Sequence, residues 1–250
     1  MKKLGLIGKN IEYSFSKQYF TNKFAKAGIT DWSYELYSLD HIDQLPQLLH
    51  SEPELVGLNV TIPFKTEVLK YIHSIEDTAL QIGAVNTISI SSDKKLRGAN
   101  TDVIGFEESL LEFIPRRHRI NLRALVLGTG GASQAITFVL KALNIPYTMV
   151  SRTSEKGILY SELDKQVSTT HKLIINTTPL GTFPKVDECV NIPFEYIDET
   201  HFLYDLVYNP LKSQFLKQGE NRGAKIKNGL QMLEGQAEAA WRIWEKNFNT

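Results

Sequence analysis

The stretch from Leu125 to Gln134 constrains the fold of this 250-residue chain more than any other part of its sequence. It joins an apolar run, 124–127, to residues that recur at helical spacing, through the turn Gly128-Thr129-Gly130-Gly131-Ala132. In such a strand–turn–helix unit the glycines let a ligand approach the backbone, and the helix N-terminus offers N–H groups to an anion. Ser133 replaces the third glycine of the G-x-G-x-x-G pattern, but it is small enough for close packing of helix on strand. The stretch therefore predicts dinucleotide binding rather than an ordinary tight turn.

Polar residues after the next predicted strand, 146–150, indicate which dinucleotide binds. They are Ser151-Arg152-Thr153, with Lys156 close behind. An NAD site usually has an Asp or Glu about 20 residues beyond the glycines, and this chain has none there. A guanidinium and two hydroxyls suit a dianionic 2′-phosphate, because Arg binds it through two hydrogen bonds and Ser and Thr donate others. The pattern favours NADP(H) over NAD(H); the alternative is that Arg152 is a solvated loop residue.

Charge and cysteine content argue against several classes of protein. Lys plus Arg and Asp plus Glu number 28 each, so the net charge does not favour nucleic acid or an anionic membrane as a partner. The single cysteine, Cys189, cannot form an internal disulfide, and it lies in a polar segment without a neighbouring His. There is no apolar run of transmembrane length and no His/Cys cluster with metal-ligand spacing. We therefore expect a cytoplasmic monomer or homodimer that binds small molecules and no metal.

Strand patterns alternate with helix patterns along the chain, which predicts an α/β fold with parallel sheet and helices on both faces. The glycine-rich turn lies near the middle, so the first hundred or so residues must form something else. We predict two domains: an α/β substrate-binding domain, 1–102 plus 229–250, and a Rossmann-like, doubly wound NADP-binding domain, 103–228. Strands are predicted at 2–8, 32–39, 56–62, 124–127, 146–150, 173–177 and 202–207, a hairpin at 84–90 and 96–98, and helices at 17–27, 101–114 and 230–248.

A second informative stretch runs from Asn59 to Lys65. It is predicted to end a strand and to open a helix with Pro63 at the first helical position, which places Lys65 in the first turn. A helix N-terminus prefers anions, so a lysine placed there against local preference is a candidate for function. The same dipole disfavours the protonated amine, which suits a group that exchanges protons with a substrate. The alternative is a solvated lysine on a helix surface.

Further motifs along the chain combine small residues with polar side chains. Together with the stretches already described, the motifs are Ser14-Phe15-Ser16, 59–65, Gly83 to Thr87, Asn100-Thr101-Asp102, 128–133, 151–153, 175–181, 205–210 and 229–233 with Gln236-Ala237. In these motifs the chain resembles members of the shikimate/quinate dehydrogenase family over nearly its full length.

The resemblance implies a role for each matching residue. Lys65 and Asp102 would be the catalytic pair at the hydroxyl that is oxidised. Residues implied to bind the substrate's ring hydroxyls and carboxylate are Ser14, Ser16, Thr61, Asn86, Tyr208 and Gln236. Residues implied to bind the cofactor are Gly128, Thr129, Gly130, Gly131 and Ala132 at the pyrophosphate, Ser151, Arg152, Thr153 and Lys156 at the 2′-phosphate, and Thr177, Leu206 and Gly229 on the nicotinamide side.

The resemblance also implies an activity: NADPH-dependent, reversible reduction of 3-dehydroshikimate to shikimate, in the route to aromatic amino acids. Hydride transfer puts negative charge on the carbonyl oxygen, which a protonated Lys65 would stabilise before giving up its proton, while Asp102 would orient the ammonium. A quinate or broader cyclitol dehydrogenase is the alternative within the same class. A non-catalytic, ligand-sensing relative is the alternative from another class, and the presence of both Lys65 and Asp102 argues against it.

Overall fold

The computed structural model describes residues 1–12 and 14–248. Within them the strands are β1 (Lys2–Gly8), β2 (Trp32–Ser38), β3 (Leu55–Val60), β4 (Ser74–Ile75), β5 (Thr87–Ile90), β6 (Leu96–Ala99), β7 (Ala124–Leu127), β8 (Tyr147–Ser151), β9 (Ile158–Leu159), β10 (Leu173–Asn176), β11 (Phe202–Asp205) and β12 (Lys225–Lys227). The helices are α1 (Phe15–Ala27), α2 (Leu45–Ser51), α3 (Asp77–Ile82), α4 (Asp102–Phe113), α5 (Gly131–Ala142), α6 (Lys165–Thr170), α7 (Gln214–Asn221) and α8 (Leu230–Phe248). No helix of this described part combines the length and apolar content needed to cross a membrane.

The chain forms two compact units. The first unit comprises Met1–Thr101 and the chain from Gln236 onward, and the second unit comprises Asp102–Gly235. Helix α4 therefore begins at a boundary between units, and α8 runs through the other boundary. The assignment of one predicted domain to the substrate and the other to NADP stays a prediction.

The sheet of the first unit has the strand order β2-β1-β3-β5-β6-β4. β1 pairs in parallel with both β2 and β3, as expected for strands joined by helical crossovers. β5 is antiparallel to β3 and to β6, so the predicted hairpin forms and gives this sheet a mixed character. The first unit is thus an α/β unit with a mixed sheet, and the turn that contains Lys65 follows β3, a strand of the parallel part of that sheet.

One apolar cluster of the first unit joins both ends of the chain. Phe20 and Phe24 of α1 pack with Trp241 and Trp244 of α8, and Leu4 of β1 belongs to the same cluster. The rings of Phe24 and Trp241 lie 5.4 Å apart and are tilted, a favourable arrangement for aromatic pairs. The apolar side chains of the final helix therefore pack against the N-terminal segment.

The sheet of the second unit is parallel at every pairing and has the order β12-β11-β10-β7-β8-β9. This is the order of a doubly wound dinucleotide-binding fold, with β7 as its first strand. The strand order reverses between β7 and β10, and ligands of such folds bind beyond the carboxyl ends of the strands at that point. A cofactor site is therefore expected beside the residues that follow β7 and β10.

Candidate functional site

The turn after β7 approaches the loop after β10 closely. Gly128 has φ +103°, and its N–H donates to Val150 O over 2.9 Å. A Cβ on Gly128 would lie 2.9 Å from Thr177 Oγ1 and 3.0 Å from a methyl of Thr178. Both the backbone conformation and the available space therefore require glycine here. The glycine pattern predicted the approach of a ligand to the backbone; at Gly128 the close neighbour is the loop after β10.

Helix α5 begins directly after this turn. Gly130 is its N-cap residue and is exposed, with no atom within 4 Å of the position that a Cβ would occupy. Ser133 is buried, with 2% of its surface exposed, and its hydroxyl donates to Gly130 O over 2.7 Å. The serine at the third glycine position thus lies in the interior, and its hydroxyl stabilises the turn before α5. Because the first N–H groups of a helix have no partners within it, open space at Gly130 leaves room for an anion.

The polar residues after β8 lie next to this turn, because β8 pairs with β7. Ser151 is buried, and its hydroxyl accepts a hydrogen bond from Thr153 N over 3.2 Å. Arg152, Thr153 and Lys156 are exposed. The structure thus presents a guanidinium, an ammonium and a hydroxyl beside the glycine-rich turn.

Thr177, Leu206 and Gly229 also belong to the second unit. Thr177 follows β10, and both its N–H and its hydroxyl donate to Leu127 O at the end of β7, over 2.9 and 2.7 Å. Gly229 precedes α8, and a Cβ on it would lie 2.6 Å from the carbonyl carbon of Leu206, so these two backbones are in contact. Tyr208 is half-buried in the loop after β11. Thr177 therefore borders the glycine-rich turn, while Leu206 and Gly229 form a second pair of adjacent residues.

In the first unit, a buried network connects Asn86 to Gln236. Asn86 is 2% exposed, and its Oδ1 accepts hydrogen bonds from Thr101 N over 2.7 Å and from Thr87 Oγ1 over 3.0 Å. The Thr101 hydroxyl lies 3.5 Å from Gln236 Oε1, to which it donates. Thr101 thus links two residues that are far apart in sequence. The network brings together Asn86 and Gln236, which the sequence analysis selected separately.

The network extends to residues that the sequence analysis did not select. Asn59 Nδ2 donates to Thr87 Oγ1 over 3.3 Å, and Tyr34 OH donates to Asn59 Oδ1 over 2.7 Å. Burial raises the pKa of Tyr34, and a hydrogen bond with the Ser16 side chain opposes that shift. Ser14 is the N-cap of α1 and accepts a hydrogen bond from Ser16 N over 3.3 Å. The polar side chains of three strands therefore support the position of Asn86.

The predicted helix at Pro63 and Lys65 is wrong. Residues 62–66 form turns, and a 3-10 segment begins at Glu67. The reason is tertiary: Lys65 O accepts a hydrogen bond from Val85 N over 2.8 Å, so it is not part of an α-helical ladder. Lys65 is therefore not in the first turn of an α-helix, and the helix-dipole argument for its reactivity does not apply. The half-buried Lys65 is instead placed by its bond to the residue before Asn86.

The last two candidates are Thr61 in the first unit and Asp102 in the second unit. Thr61 is half-buried in the turn after β3, where its carbonyl accepts a hydrogen bond from Phe64 N over 2.9 Å. Asp102 is the first residue of α4 and is 5% exposed. A carboxylate is favoured at that end of a helix by the helix dipole. The described residues contain no group of three or more His, Cys, Asp and Glu that could hold a metal ion.

Known proteins resemble the whole chain. Residues 6–88 match the family model for the shikimate dehydrogenase substrate binding domain. The chain is 38% identical to Shikimate dehydrogenase (NADP(+)) of Clostridium botulinum, over 96% of this chain and 95% of that protein. It is 35% identical to the protein of the same name from Methanococcus maripaludis, over 97% of this chain and 91% of the relative. The crystal structure of Shikimate 5-dehydrogenase from Thermus thermophilus, in complex with NADP(H) and shikimate, has a TM-score of 0.85 at 28% identity and covers 98% of this chain and 94% of that chain.

Proposed function

Because the chain belongs to the shikimate dehydrogenase family, we propose that it catalyses the NADPH-dependent, reversible reduction of 3-dehydroshikimate to shikimate. The observation that carries this proposal is the carboxyl edge of the second unit's sheet. There the glycine-rich turn contacts Thr177 where the strand order reverses, and Arg152 follows the neighbouring strand. We propose a cytoplasmic enzyme that acts as a monomer or a homodimer.

The residues at this edge fit NADP(H). The backbone of Gly128 to Ala132 would hold the pyrophosphate, for which the open space at Gly130 leaves room. The exposed charges and hydroxyls after β8 would hold the 2′-phosphate, and Thr177, Leu206 and Gly229 would contact the nicotinamide. When bound, the cofactor supplies the hydride; the protein's part is to hold it and to favour NADP(H) over NAD(H) through Arg152.

The first unit would hold most of the substrate. Asn86 and Gln236, joined through Thr101, present amide groups, and an amide can both donate to and accept from ring hydroxyls. Further contacts to the ring and its carboxylate would come from Ser14, Ser16, Thr61 and Tyr208. Because the network behind Asn86 is buried and hydrogen-bonded, the amide is pre-positioned and loses little freedom when a ligand binds.

Lys65 is the proposed proton donor, with Asp102 as the second member of the catalytic pair. Reduction of a ketone places negative charge on its oxygen, and a nearby ammonium stabilises that charge and then protonates it. The bond from Val85 N to Lys65 O fixes the lysine backbone next to Asn86, which would bind the same ring. The proton therefore arrives from a group held by the substrate-binding unit.

The direct test is the loss of absorbance at the reduced-nicotinamide band when the protein, NADPH and 3-dehydroshikimate are mixed. Turnover with NADPH, and slower turnover with NADH, supports the proposal. Faster oxidation of quinate than of shikimate would make the chain a quinate dehydrogenase. Binding of both 3-dehydroshikimate and NADPH without turnover would make it a ligand-sensing relative and would contradict the proposal.

Replacing Arg152 with alanine should weaken NADPH binding by about 2–3 kcal/mol, the scale of a hydrogen bond to a charged group. This corresponds to a roughly 30- to 150-fold rise in the Kd of NADPH, with the Kd of NADH nearly unchanged. Arg116→Ala removes another exposed arginine of the second unit and should change neither value. Equal losses for NADPH and NADH in Arg152→Ala would assign Arg152 to the adenine or to the fold.

A further inference from the structure

Two buried polar side chains at the carboxyl edge of the second unit's sheet have no role in the reaction as described so far. Asn176 ends β10 and Asp205 ends β11, and both are fully buried. Asn176 Nδ2 donates a hydrogen bond to Asp205 Oδ1 over 2.9 Å. A buried carboxylate is costly unless several hydrogen bonds compensate for lost hydration, so the partners of this pair matter.

The remaining partners come from the two loops that follow these strands. Asn176 Oδ1 accepts hydrogen bonds from the N–H and the hydroxyl of Thr178, over 3.0 and 2.7 Å. Asp205 Oδ1 accepts one from Val207 N over 3.0 Å, and Oδ2 accepts one from the hydroxyl of Ser213, the N-cap residue of α7. The pair therefore holds both loops and the start of a helix at once.

Each loop carries a residue that we propose for the nicotinamide. Thr177 directly follows Asn176, and Leu206 directly follows Asp205. In each loop the buried side chain accepts a hydrogen bond from the backbone N–H two residues on, and so closes a turn around the residue between them. The positions of Thr177 and Leu206 thus depend on the polar pair, although neither Asn176 nor Asp205 is exposed to a ligand.

The charge on Asp205 strengthens this arrangement. Burial raises the pKa of Asp205 to about 6, and the hydrogen bonds from Ser213, Val207 and Asn176 oppose that shift. At neutral pH the carboxylate is mostly ionised, and hydrogen bonds to it are roughly twice as strong as those between neutral groups. Among the described residues, the titratable side chain that faces Asp205 is Cys189. The pKa of its thiol is raised to about 11, mainly by burial and to a smaller extent by the charge on Asp205.

We propose that Asp205, acting with Asn176, is a positioning residue for the hydride-transfer step, because it holds Thr177 and Leu206 where the nicotinamide ring binds. This inference rests on the proposed function, which assigns Thr177 and Leu206 to that ring. A small displacement of a reacting group can lower a rate on the order of 100-fold. Such a displacement leaves the phosphate contacts at the glycine-rich turn in place.

The test is Asp205→Asn, which keeps the shape of the side chain and removes its charge. Its kcat should fall on the order of 10- to 100-fold, with the KM for shikimate and the Kd of NADPH little changed. The fluorescence of bound NADPH, which reports on the surroundings of the nicotinamide, should change. As the pH falls through about 6, the wild-type kcat should fall towards that of the variant, whose own profile lacks this step.

The matched control is Asp198→Asn. Asp198 also accepts hydrogen bonds, from Thr200 N over 3.0 Å and from the Thr200 hydroxyl, but it precedes β11 at the amino end of the strand. It should leave kcat and NADPH fluorescence unchanged. Asp205→Ala is unsuitable, because it leaves the donors of Asn176, Val207 and Ser213 buried without an acceptor and should destabilise the fold.

Three results would overturn the inference. One is a parental kcat in Asp205→Asn. Another is a parallel loss of kcat, both binding constants and melting temperature, which would make the role of Asp205 purely structural. If the wild-type protein binds NADPH but does not turn over shikimate, it is the proposed function that fails. In that case the fluorescence of NADPH bound to Asp205→Asn tests the inference, and a spectrum identical to that of the wild type is the third result that would overturn it.

Discussion

Replacing Lys65 with alanine should lower kcat by about 10²- to 10⁴-fold and leave the KM for shikimate nearly unchanged. The reason is that the ammonium would act on charge that develops only in the transition state, so its loss affects the chemical step more than substrate binding. The fold should survive, because the bond from Val85 to Lys65 uses the backbone carbonyl, which alanine retains. Steady-state kinetics in both directions, with circular dichroism of the variant, measure both expectations.

The matched control for this experiment is Lys70→Ala. Lys70 is an exposed lysine in the 3-10 segment that follows, with its ammonium 5.2 Å from the centre of the Tyr71 ring. It should have parental kinetics. A kcat for Lys65→Ala within a few-fold of the parent, or a rise in KM alone, would move Lys65 from proton transfer to substrate binding.

Much of the fold could be predicted because its strongest signals are local. The apolar strand at 124–127, the glycines after it and the stripe of the last helix are all contained in short windows of sequence. The short strands β4, β9 and β12 were not predicted. They are two or three residues long, too short for any periodicity, and they exist because a longer neighbouring strand offers its unpaired backbone groups.

The candidate site was less predictable, because its geometry depends on bonds between distant residues. The hydrogen bond between Tyr34 and Asn59 spans 25 residues, and nothing local distinguishes these side chains from polar residues on the solvent face of a strand. Lys65 shows the opposite error. Its local pattern predicted a helix, but the bond from Val85 took the carbonyl that the helix would have used. In both cases tertiary hydrogen bonding outweighed local preference.

Replacing Trp244 with alanine should lower the free energy of unfolding by about 3–5 kcal/mol, the cost of emptying a buried aromatic site. Trp244 is fully buried, its ring lies 5.8 Å from that of Phe20, and its Nε1 donates to Ile88 O over 2.9 Å. Trp244→Phe keeps most of the ring and loses this hydrogen bond, so it should cost less. Trp32→Ala is the control: because Trp32 is only half-buried, its loss should lower the free energy of unfolding less than the loss of Trp244. Urea unfolding followed by circular dichroism measures all three variants.

Gly57 provides a second test of the same packing. A Cβ on Gly57 would lie 2.6 Å from Trp244 Cδ1, and the indole also packs against Phe20 of α1, with 5.8 Å between the ring centres. Gly57→Ala should therefore destabilise the parent by about 1–3 kcal/mol, the usual cost of overpacking. In the Trp244→Ala background the same methyl meets only Leu4 Cδ2, at 2.8 Å, so its cost should fall, giving a coupling between the two sites. Additive losses in the double variant would mean that Trp244 does not occupy this position against β3, and that the final helix is anchored in another way.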